Sequence, residues 1–351
     1  MKTNFNQIGS PGAVAATVVF LLLLNFPGLV SAVTGPSTAD PVVVTLQPDV
    51  SGFQIQQALD SLPDSGGVVM LPAGKFLIRQ PVVLHRDFQT LRGAGEGTVL
   101  RLADNANCPV IIMGEPVNHP QKAVRHLCVS DLLIDGNRSQ QQRELWHERG
   151  PGSDIRNNGI TVQDVTDSQV QNVICAHCRS GGLVTTLNVR RLTVCELDSY
   201  DNQFDGLACY QTEDSLFTEL SLHDNPGAGI SLDLAFNHNV ISNAVLTAND
   251  LGIFMRSSRD NRFQNVSIHD CHHHGVFMAQ EIEETPLGPD GVPQSECTHN
   301  AFTNLIAANC GAAAFRVNDT TCTNNVLVQA NFKGNPKGGL SQVQPALVVV
   351  R

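Results

Sequence analysis

The stretch that decides the fold reads GLACY at residues 206–210, GISLD at 229–233 and GIFMR at 252–256. A glycine followed by a short apolar run occurs here in three places with the same spacing, and the pattern extends in both directions. The full set of these glycines is Gly159, Gly182, Gly206, Gly229, Gly252 and Gly275, spaced by 23 or 24 residues. A repeat of this length indicates a solenoid, in which each repeat forms one coil that stacks on its neighbours.

Alternation within each run separates an inner face from an outer face. The first and third residues after the glycine are apolar, and strand side chains alternate between the two faces, so these residues are expected inside. The second and fourth residues are then expected outside: Thr161/Gln163, Val184/Thr186, Ala208/Tyr210, Ser231/Asp233, Phe254/Arg256 and Phe277/Ala279. We predict an all-β fold, a single-stranded right-handed parallel β-helix with coils of about 23 residues.

A second motif repeats in phase with the first. It reads ELDSYDN from Glu196, ELSLHDN from Glu219 and NVSIHDC from Asn265. It predicts a second strand in each coil, reached by a turn and ending at a polar corner where asparagine amides bond to the next coil. We expect the repeat glycines to supply a backbone conformation that side chains disfavour.

Residues 1–32 differ from the rest of the chain. They carry Lys2, the apolar core AVAATVVFLLLL at residues 13–24 and the small-residue sequence VSA ending at Ala32. This is typical of a secretory signal peptide and too short to span a bilayer, although an uncleaved anchor is the alternative. We expect residues 33–351 to form one β-helix domain, secreted to the extracellular space or the periplasm.

Other segments interrupt or close the solenoid. Residues 51–62, SGFQIQQALDSL, predict an N-terminal capping helix with Ser51 and Gln54 as a capping box, and the regular coils are expected over 155–335. Insertions at 138–156 and 281–295 break the repeat, and long loops in compact solenoids often serve function.

The net charge limits the classes of binding partner, and the positions of the cysteines suggest disulfides. The net charge of −11 argues against nucleic acid and fits a polysaccharide, either neutral or acidic and held through arginine or Ca²⁺. The sequence identifies no definite cofactor and leaves Ca²⁺ as one candidate, no membrane contact is expected once the signal is removed, and the oligomeric state is left open. The repeat places Cys271 over Cys310 and Cys297 over Cys322, within disulfide reach, with free thiols as the alternative.

The N-terminal stretch FQIQQALDSLPDSGGVVMLPAGKFLI, followed by LRGAGEGTVL, resembles the start of the pectate-lyase-like superfamily. The resemblance implies a right-handed parallel β-helix and carbohydrate chemistry. The catalytic motifs of its classical pectate lyases and polygalacturonases are absent, and CYQ at residues 209–211 stands where alginate epimerases carry acidic and histidine residues.

Candidate site residues follow from the phase of the repeat. Five are predicted to be catalytic: Arg256, Asp233, Tyr210, His274 and Asp205. Four are predicted to bind substrate: Trp146, Phe254, Phe277 and Arg179. Arg256 would neutralise a sugar carboxylate or stabilise developing charge, Tyr210 would move a proton, and Asp233 would hold Arg256 or calcium. His274 would act as a base beside Arg256.

Two classes of function remain. The first is a polysaccharide-active enzyme, with a lyase favoured over a glycoside hydrolase or a uronan epimerase. A hydrolase would use two carboxylates across the groove, and Asp205 with Asp233 are the best pair, to which Glu281 or Glu283 of the insertion could be added. The second class is a non-catalytic β-helix that binds glycans or serves at the cell surface.

Overall fold

The computed structural model describes residues 42–48, 50–142, 155–282 and 294–351, all within one compact unit that spans Pro41–Arg351. These residues form an all-β parallel solenoid of about 12 turns. The residues 1–32, Trp146 and Glu283 that the sequence singled out lie outside the described residues. In the described ranges, no helix is long and apolar enough to cross a membrane.

Three parallel sheets form the solenoid: sheets A and B run along it, and sheet C accompanies them from Val124 to Arg259. Sheet A contains Val43–Thr45, Gly67–Met70, Gly74–Ile78, Gln89–Arg92, Thr98–Leu102, Cys128–Asp135, Gln169–Ala176, Thr193–Tyr200, Leu216–His223, Val240–Thr247, Arg262–His269, Ala301–Ala308, Asn325–Val328, Asn331–Lys333 and Val348–Val350. Sheet B contains Val82–Leu84, Ile111–Met113, Ile160–Gln163, Leu183–Thr186, Leu207–Tyr210, Ala228–Asp233, Leu251–Met255, Val276–Met278, Phe315–Val317 and Leu340–Gln342. Sheet C contains Val124–Arg125, Val165–Thr166, Val189–Arg190, Thr212–Glu213, Phe236–Asn237 and Ser258–Arg259.

Sheet B has the register that the repeat predicts. Leu207 pairs with Ile230, Ile230 with Ile253, and Ile253 with Val276, so the repeat glycines stack one over another. The first and third residues after each glycine are completely buried in the core, which confirms the predicted inner face. The coil that begins at Gly275 is followed by Ala314, across the insertion, because Val276 pairs with Phe315.

Sheet C was not predicted. The sequence indicated a turn between two strands, but in the structure that turn contains a two-residue strand bounded by two left-handed residues. In one coil these are Gln211 at φ 46° and Asp214 at φ 52°, on either side of Thr212–Glu213. Two residues give too weak an alternation to be recognised, so the third face escaped the sequence pattern.

The repeat glycines are required for space and not for backbone conformation. None of the six has a positive φ, so the prediction of a disfavoured backbone conformation is wrong. A Cβ on Gly252 would lie 2.4 Å from the Gly275 carbonyl oxygen and 2.4 Å from a methyl carbon of Ile268. A side chain at this position would therefore collide with both the next coil and the core.

Stacked asparagines fasten the corners of the coils. The Asn202 backbone N–H donates to Asn225 Oδ1 at 3.1 Å, and the Asn225 N–H donates to Asn249 Oδ1 at 3.1 Å. All three side chains are buried, so each amide satisfies backbone groups that no water reaches. The predicted asparagine corner is confirmed.

One α-helix, Gly52–Ser61, and one 3-10 turn, Arg138–Gln140, occur among the described residues. Ser51 and Gln54 form the predicted capping box, and Ile55, Leu59 and Leu62 pack into the core. The helix covers the first coils and so shields the open end of the solenoid, as the sequence predicted.

Candidate functional site on sheet B

The outer face of sheet B presents two adjacent columns of side chains, one from each outward position of the repeat. Tyr210 pairs with Asp233 across neighbouring strands, and Arg256 follows Asp233 one coil further on. Phe254 and Phe277 stand beside them in the second column. Because parallel strands lie about 4.8 Å apart, this ladder brings residues 23 positions apart into direct contact.

Arg256 is held between two carboxylates. Its Nη2 atom lies 2.5 Å from Asp233 Oδ2 and 3.0 Å from Glu281 Oε2. The Asp233 and Glu281 side chains are only 4% and 2% exposed, whereas Arg256 is 27% exposed. Arg256 is therefore the most exposed of the three side chains.

The environment of Asp233 favours its neutral form. The pKa of this carboxyl is raised to about 7, chiefly by burial and also by the nearby Glu281, which together outweigh the lowering effect of Arg256. The Leu234 backbone N–H donates to Asp233 Oδ1 at 2.8 Å, which fixes the orientation of the carboxyl group. Asp233 can thus hold or release a proton near neutral pH, which is what an acid–base catalyst requires.

Tyr210 belongs to a second polar group in the same column. Burial raises the pKa of Tyr210 to about 12, and Asp205 and Asp233 add to this effect, whereas a side-chain hydrogen bond with Ser231 lowers it. Burial also raises the pKa of Asp205 to about 6, against the effects of the Ala228 N–H and of Arg156. Tyr210 therefore stays protonated at neutral pH and is suited to donate a hydrogen bond.

An aromatic platform adjoins the carboxylates. Phe254 and Phe277 stack with ring centroids 5.9 Å apart and planes 8° apart. The Arg256 guanidinium carbon lies 5.2 Å from the Phe254 centroid, and the His274 ring lies 5.6 Å from Phe277. Flat, half-exposed rings of this kind provide apolar faces against which ring-shaped ligands stack.

Three predicted site residues do not join the Arg256 group. His274 is in register with Leu251, so it lies five positions, or roughly 16 Å, along the strand from Arg256. Its Nδ1 accepts from the Ala313 N–H at 3.2 Å, and burial lowers its pKa. Asp205 lies five positions from Asp233 in the same way, and its Oδ1 accepts from Ala228 N–H at 2.7 Å.

Arg179, the third of these residues, precedes its strand by four residues, and its Nε is buried without a hydrogen-bond partner.

In contrast, Glu281 joins the group although its position does not belong to the repeat. The backbone holds it there, because Glu281 N–H and Ser257 N–H both donate to Ser295 O, at 2.7 Å and 3.2 Å. Glu281 lies beside Arg256 because the chain comes back to the solenoid at Ser295 after the insertion. No sequence pattern predicts where the chain comes back. Arg156 and Ser231 were also missed as members of the Tyr210 group.

The opposite end of the same face contains a cavity of about 610 Å³. It is lined by Val83 and Ile112, which precede Thr161 in the outward column, and by residues of the 106–118 segment. Five coils, or roughly 24 Å, separate Ile112 from Phe254. Among the described residues, no carboxylic acid lines this cavity, so we place the chemical site at Arg256 and regard the cavity as a recess further along the face.

The described residues contain one cluster with metal-ligand spacing: Cys195, Glu196 and Glu219, on sheet A. It does not lie on the outer face of sheet B. Within that face, Asp233 Oδ2 is already bonded to Arg256 at 3.0 Å through Nε. A calcium ion in the groove therefore stays a prediction.

A family model described as the right handed beta helix region matches residues 157–287 and 234–345, together more than half of the chain. The chain belongs to this right-handed β-helix family. No curated protein matches it over its sequence.

Solved structures share the fold at low sequence identity. The ORF18 protein of Geobacillus virus E2 is 13% identical with a TM-score of 0.66, over 85% of this chain and 58% of the viral chain. The polygalacturonase of Erwinia carotovora is 12% identical with a TM-score of 0.59, over 91% and 98%. The A-module of the Azotobacter vinelandii mannuronan C-5 epimerase AlgE4 is 17% identical with a TM-score of 0.52, over 87% and 97%. This chain thus spans just over half of the viral protein, and these likenesses establish the fold alone.

Proposed function

We propose that this protein is a secreted enzyme that hydrolyses a polysaccharide on the outer face of sheet B. The contact of one Arg256 nitrogen with both Asp233 and Glu281 carries the proposal, because it gathers two carboxyl groups beside an aromatic platform. Similar folds in a polygalacturonase and a mannuronan epimerase support a carbohydrate as the ligand class.

The two carboxyl groups suit glycoside hydrolysis. Since Nη2 of Arg256 lies 2.5 Å and 3.0 Å from the two oxygens, these are no more than about 5.5 Å apart. This upper limit is shorter than the roughly 6.5–9.5 Å between the carboxyls of inverting glycosidases and is compatible with the roughly 5–5.5 Å of retaining ones. Asp233, with a pKa of about 7, would protonate the leaving oxygen while the Glu281 carboxylate attacks the anomeric carbon, so that the glycosidic bond breaks and a glycosyl ester forms. A water molecule that gives a proton to the ionised Asp233 would then hydrolyse this ester and restore both carboxyl groups. Arg256 would orient the two carboxyl groups and stabilise the negative charge of whichever one is ionised.

A lyase is the second candidate, favoured by the pairing of Tyr210 with Asp233. It is less well supported for two reasons. The Tyr210 pKa of about 12 makes it a poor base at neutral pH. In addition, Arg256 is already engaged by two carboxylates, so its charge is not available to neutralise the sugar carboxylate of a uronan.

The test is a panel of neutral and uronate polysaccharides with two readouts, new reducing ends and the ultraviolet absorbance of an unsaturated product. Reducing ends without absorbance are the expected result. Products that absorb in the ultraviolet would show that the enzyme is a lyase and not a hydrolase. If no polysaccharide is cleaved but some are retarded in affinity electrophoresis, the protein is a glycan-binding β-helix and both enzymatic proposals fall.

A further inference from the structure

Two pairs of cysteines stack across the coils that flank the 281–295 insertion. His269 pairs with Ala308, which places Cys271 and Cys310 at equivalent positions two residues further on. Ala301 pairs with Val326, which places Cys297 and Cys322 at equivalent positions four residues earlier. All ten cysteines lie within the described residues and are free thiols in this structure.

Stacked positions in neighbouring parallel strands have the spacing of a disulfide. The coils are about 4.8 Å apart, and Cα atoms of bridged cysteines are usually about 4.4–6.8 Å apart. The Cys271 and Cys310 thiols contact one another, and so do those of Cys297 and Cys322. All four side chains are at most 2% exposed, so each sulfur has its partner beside it and almost no solvent.

The first pair interrupts one of the asparagine ladders. Asn202, Asn225 and Asn249 occupy this corner in the preceding coils, and the Cys310 N–H again donates to an asparagine, Asn335, at 3.0 Å. Cys271 and Cys310 thus stand at two consecutive steps where an amide would otherwise bond to the next coil. A covalent bond between them would restore the connection that the missing amides leave out.

The second pair supports the chain where it returns from the insertion. Cys297 Sγ contacts the Ala279 carbonyl oxygen at 3.6 Å, and Cys297 is two residues beyond Ser295, which anchors Glu281. Asn325 Nδ2 donates to Cys297 O at 3.0 Å from the next coil. Cys297 therefore lies at the point where the two ends of the insertion meet the following coil.

We propose that both pairs form disulfides: Cys271–Cys310 joins the coil before the insertion to the coil after it, and Cys297–Cys322 joins the chain that returns from the insertion to the following coil. The oxidant is a low-molecular-weight disulfide such as oxidised glutathione. The thiolate of one cysteine attacks this disulfide and releases one small thiol; the partner cysteine then displaces the second, and the two protons of the protein thiols end on the two released small thiols. Two protein thiols are oxidised and one small disulfide is reduced to two thiols.

The two sulfurs of each pair interact directly in the folded chain. A hydrogen bond from the Cys271 thiol lowers the pKa of Cys310, and one from Cys297 lowers the pKa of Cys322. Because the sulfurs are buried, we expect oxidation during folding, before the coils close.

The experiment is refolding of the full chain with a glutathione redox buffer, or with reductant alone, followed by alkylation and non-reducing peptide mapping. The expected map contains Cys271–Cys310 and Cys297–Cys322 and leaves Cys209 and Cys195 as alkylated thiols. The oxidised protein should have a Tm roughly 5 °C above the reduced protein. Four alkylated thiols, or crossed pairs such as Cys271 with Cys297, would overturn the proposal.

Single serine variants separate a disulfide from simple packing. Cys310→Ser and Cys322→Ser should each remove the Tm difference that one disulfide contributes and should abolish its cross-linked peptide. Cys209→Ser is the matched control, since Cys209 is equally buried but has no stacked cysteine. It should shift the Tm of the oxidised and reduced proteins equally. If the redox-dependent Tm difference keeps its full wild-type size in either variant, or survives in the double variant Cys310→Ser/Cys322→Ser, the assignment is wrong.

Discussion

Asp233 and Glu281 meet at a single nitrogen of Arg256, although they are 48 residues apart and only Asp233 belongs to the repeat. The solenoid supplies Asp233 and Arg256 as neighbours in one column. The insertion supplies Glu281, which its contact with Ser295 holds in place. Two of the three residues, Asp233 and Arg256, therefore come from the regular repeat, and the third, Glu281, comes from the insertion.

Activity should depend on pH through Asp233. Its raised pKa of about 7 keeps the carboxyl protonated below that pH, so cleavage should decline as the pH rises through about 7. Initial rates between pH 4 and pH 9 would measure this. A rate that instead increases through pH 7 would mean that Asp233 acts as a base.

The same titration should affect stability. A carboxyl whose pKa is higher in the folded than in the unfolded chain binds more protons when folded, so the free energy of unfolding should fall as the pH rises from about 4 to about 7. The decrease attributable to Asp233 should be at most roughly 4 kcal/mol. It is obtained by subtracting the urea-unfolding profile of Asp233→Asn from that of the wild type. Parallel profiles would show that the folded carboxyl titrates normally.

The aromatic platform should determine affinity. Phe277→Ala should weaken oligosaccharide binding roughly 5- to 20-fold, because the ligand loses one stacking face, with little change in the cleavage rate of bound substrate. Isothermal titration calorimetry on an inactive variant would measure it. Phe53→Ala, which removes a phenyl ring 67% exposed on the capping helix, should leave affinity unchanged. Equal losses in both variants would place the ligand elsewhere.

The repeat glycines should tolerate no side chain. Gly252→Ala places a methyl group 2.4 Å from a backbone oxygen and should cost about 1–3 kcal/mol of unfolding free energy. Gly97→Ala is the control, because its nearest atom within 4 Å is the Ala73 Cβ at 3.2 Å. Urea unfolding of the Gly252→Ala and Gly97→Ala variants would measure the two changes in unfolding free energy. A Gly252→Ala variant as stable as the wild type would contradict the steric requirement for glycine.

The fold could be predicted because a parallel β-helix repeats the same local sequence pattern in every coil. The spacing of the glycines, the alternation after Gly229 and the amide of Asn225 each indicate the same coil, so errors at one repeat are corrected by the next. The site follows no such rule. Tyr210, Asp233 and Arg256 could be placed in one column, whereas the position of Glu281 depends on a non-repetitive return of the chain, and the distance of His274 from Arg256 depends on strand register.

Export is a separate expectation. If residues 1–32 are a signal peptide, the mature protein should begin at Val33, which N-terminal sequencing of the protein from the culture medium or periplasm would show. A cell-associated protein that retains residues 1–32 would instead support the uncleaved anchor.

The central claim is that Asp233 and Glu281 together cleave a glycosidic bond, and removal of each carboxylate tests it most directly. On the polysaccharide that the panel identifies, Asp233→Asn and Glu281→Gln should each lower kcat by about 10²- to 10⁴-fold while the circular dichroism spectrum is preserved. The control Glu219→Gln, an exposed acid on sheet A, should keep the wild-type rate. Folded Asp233→Asn and Glu281→Gln proteins that cleave at the wild-type rate would contradict the account.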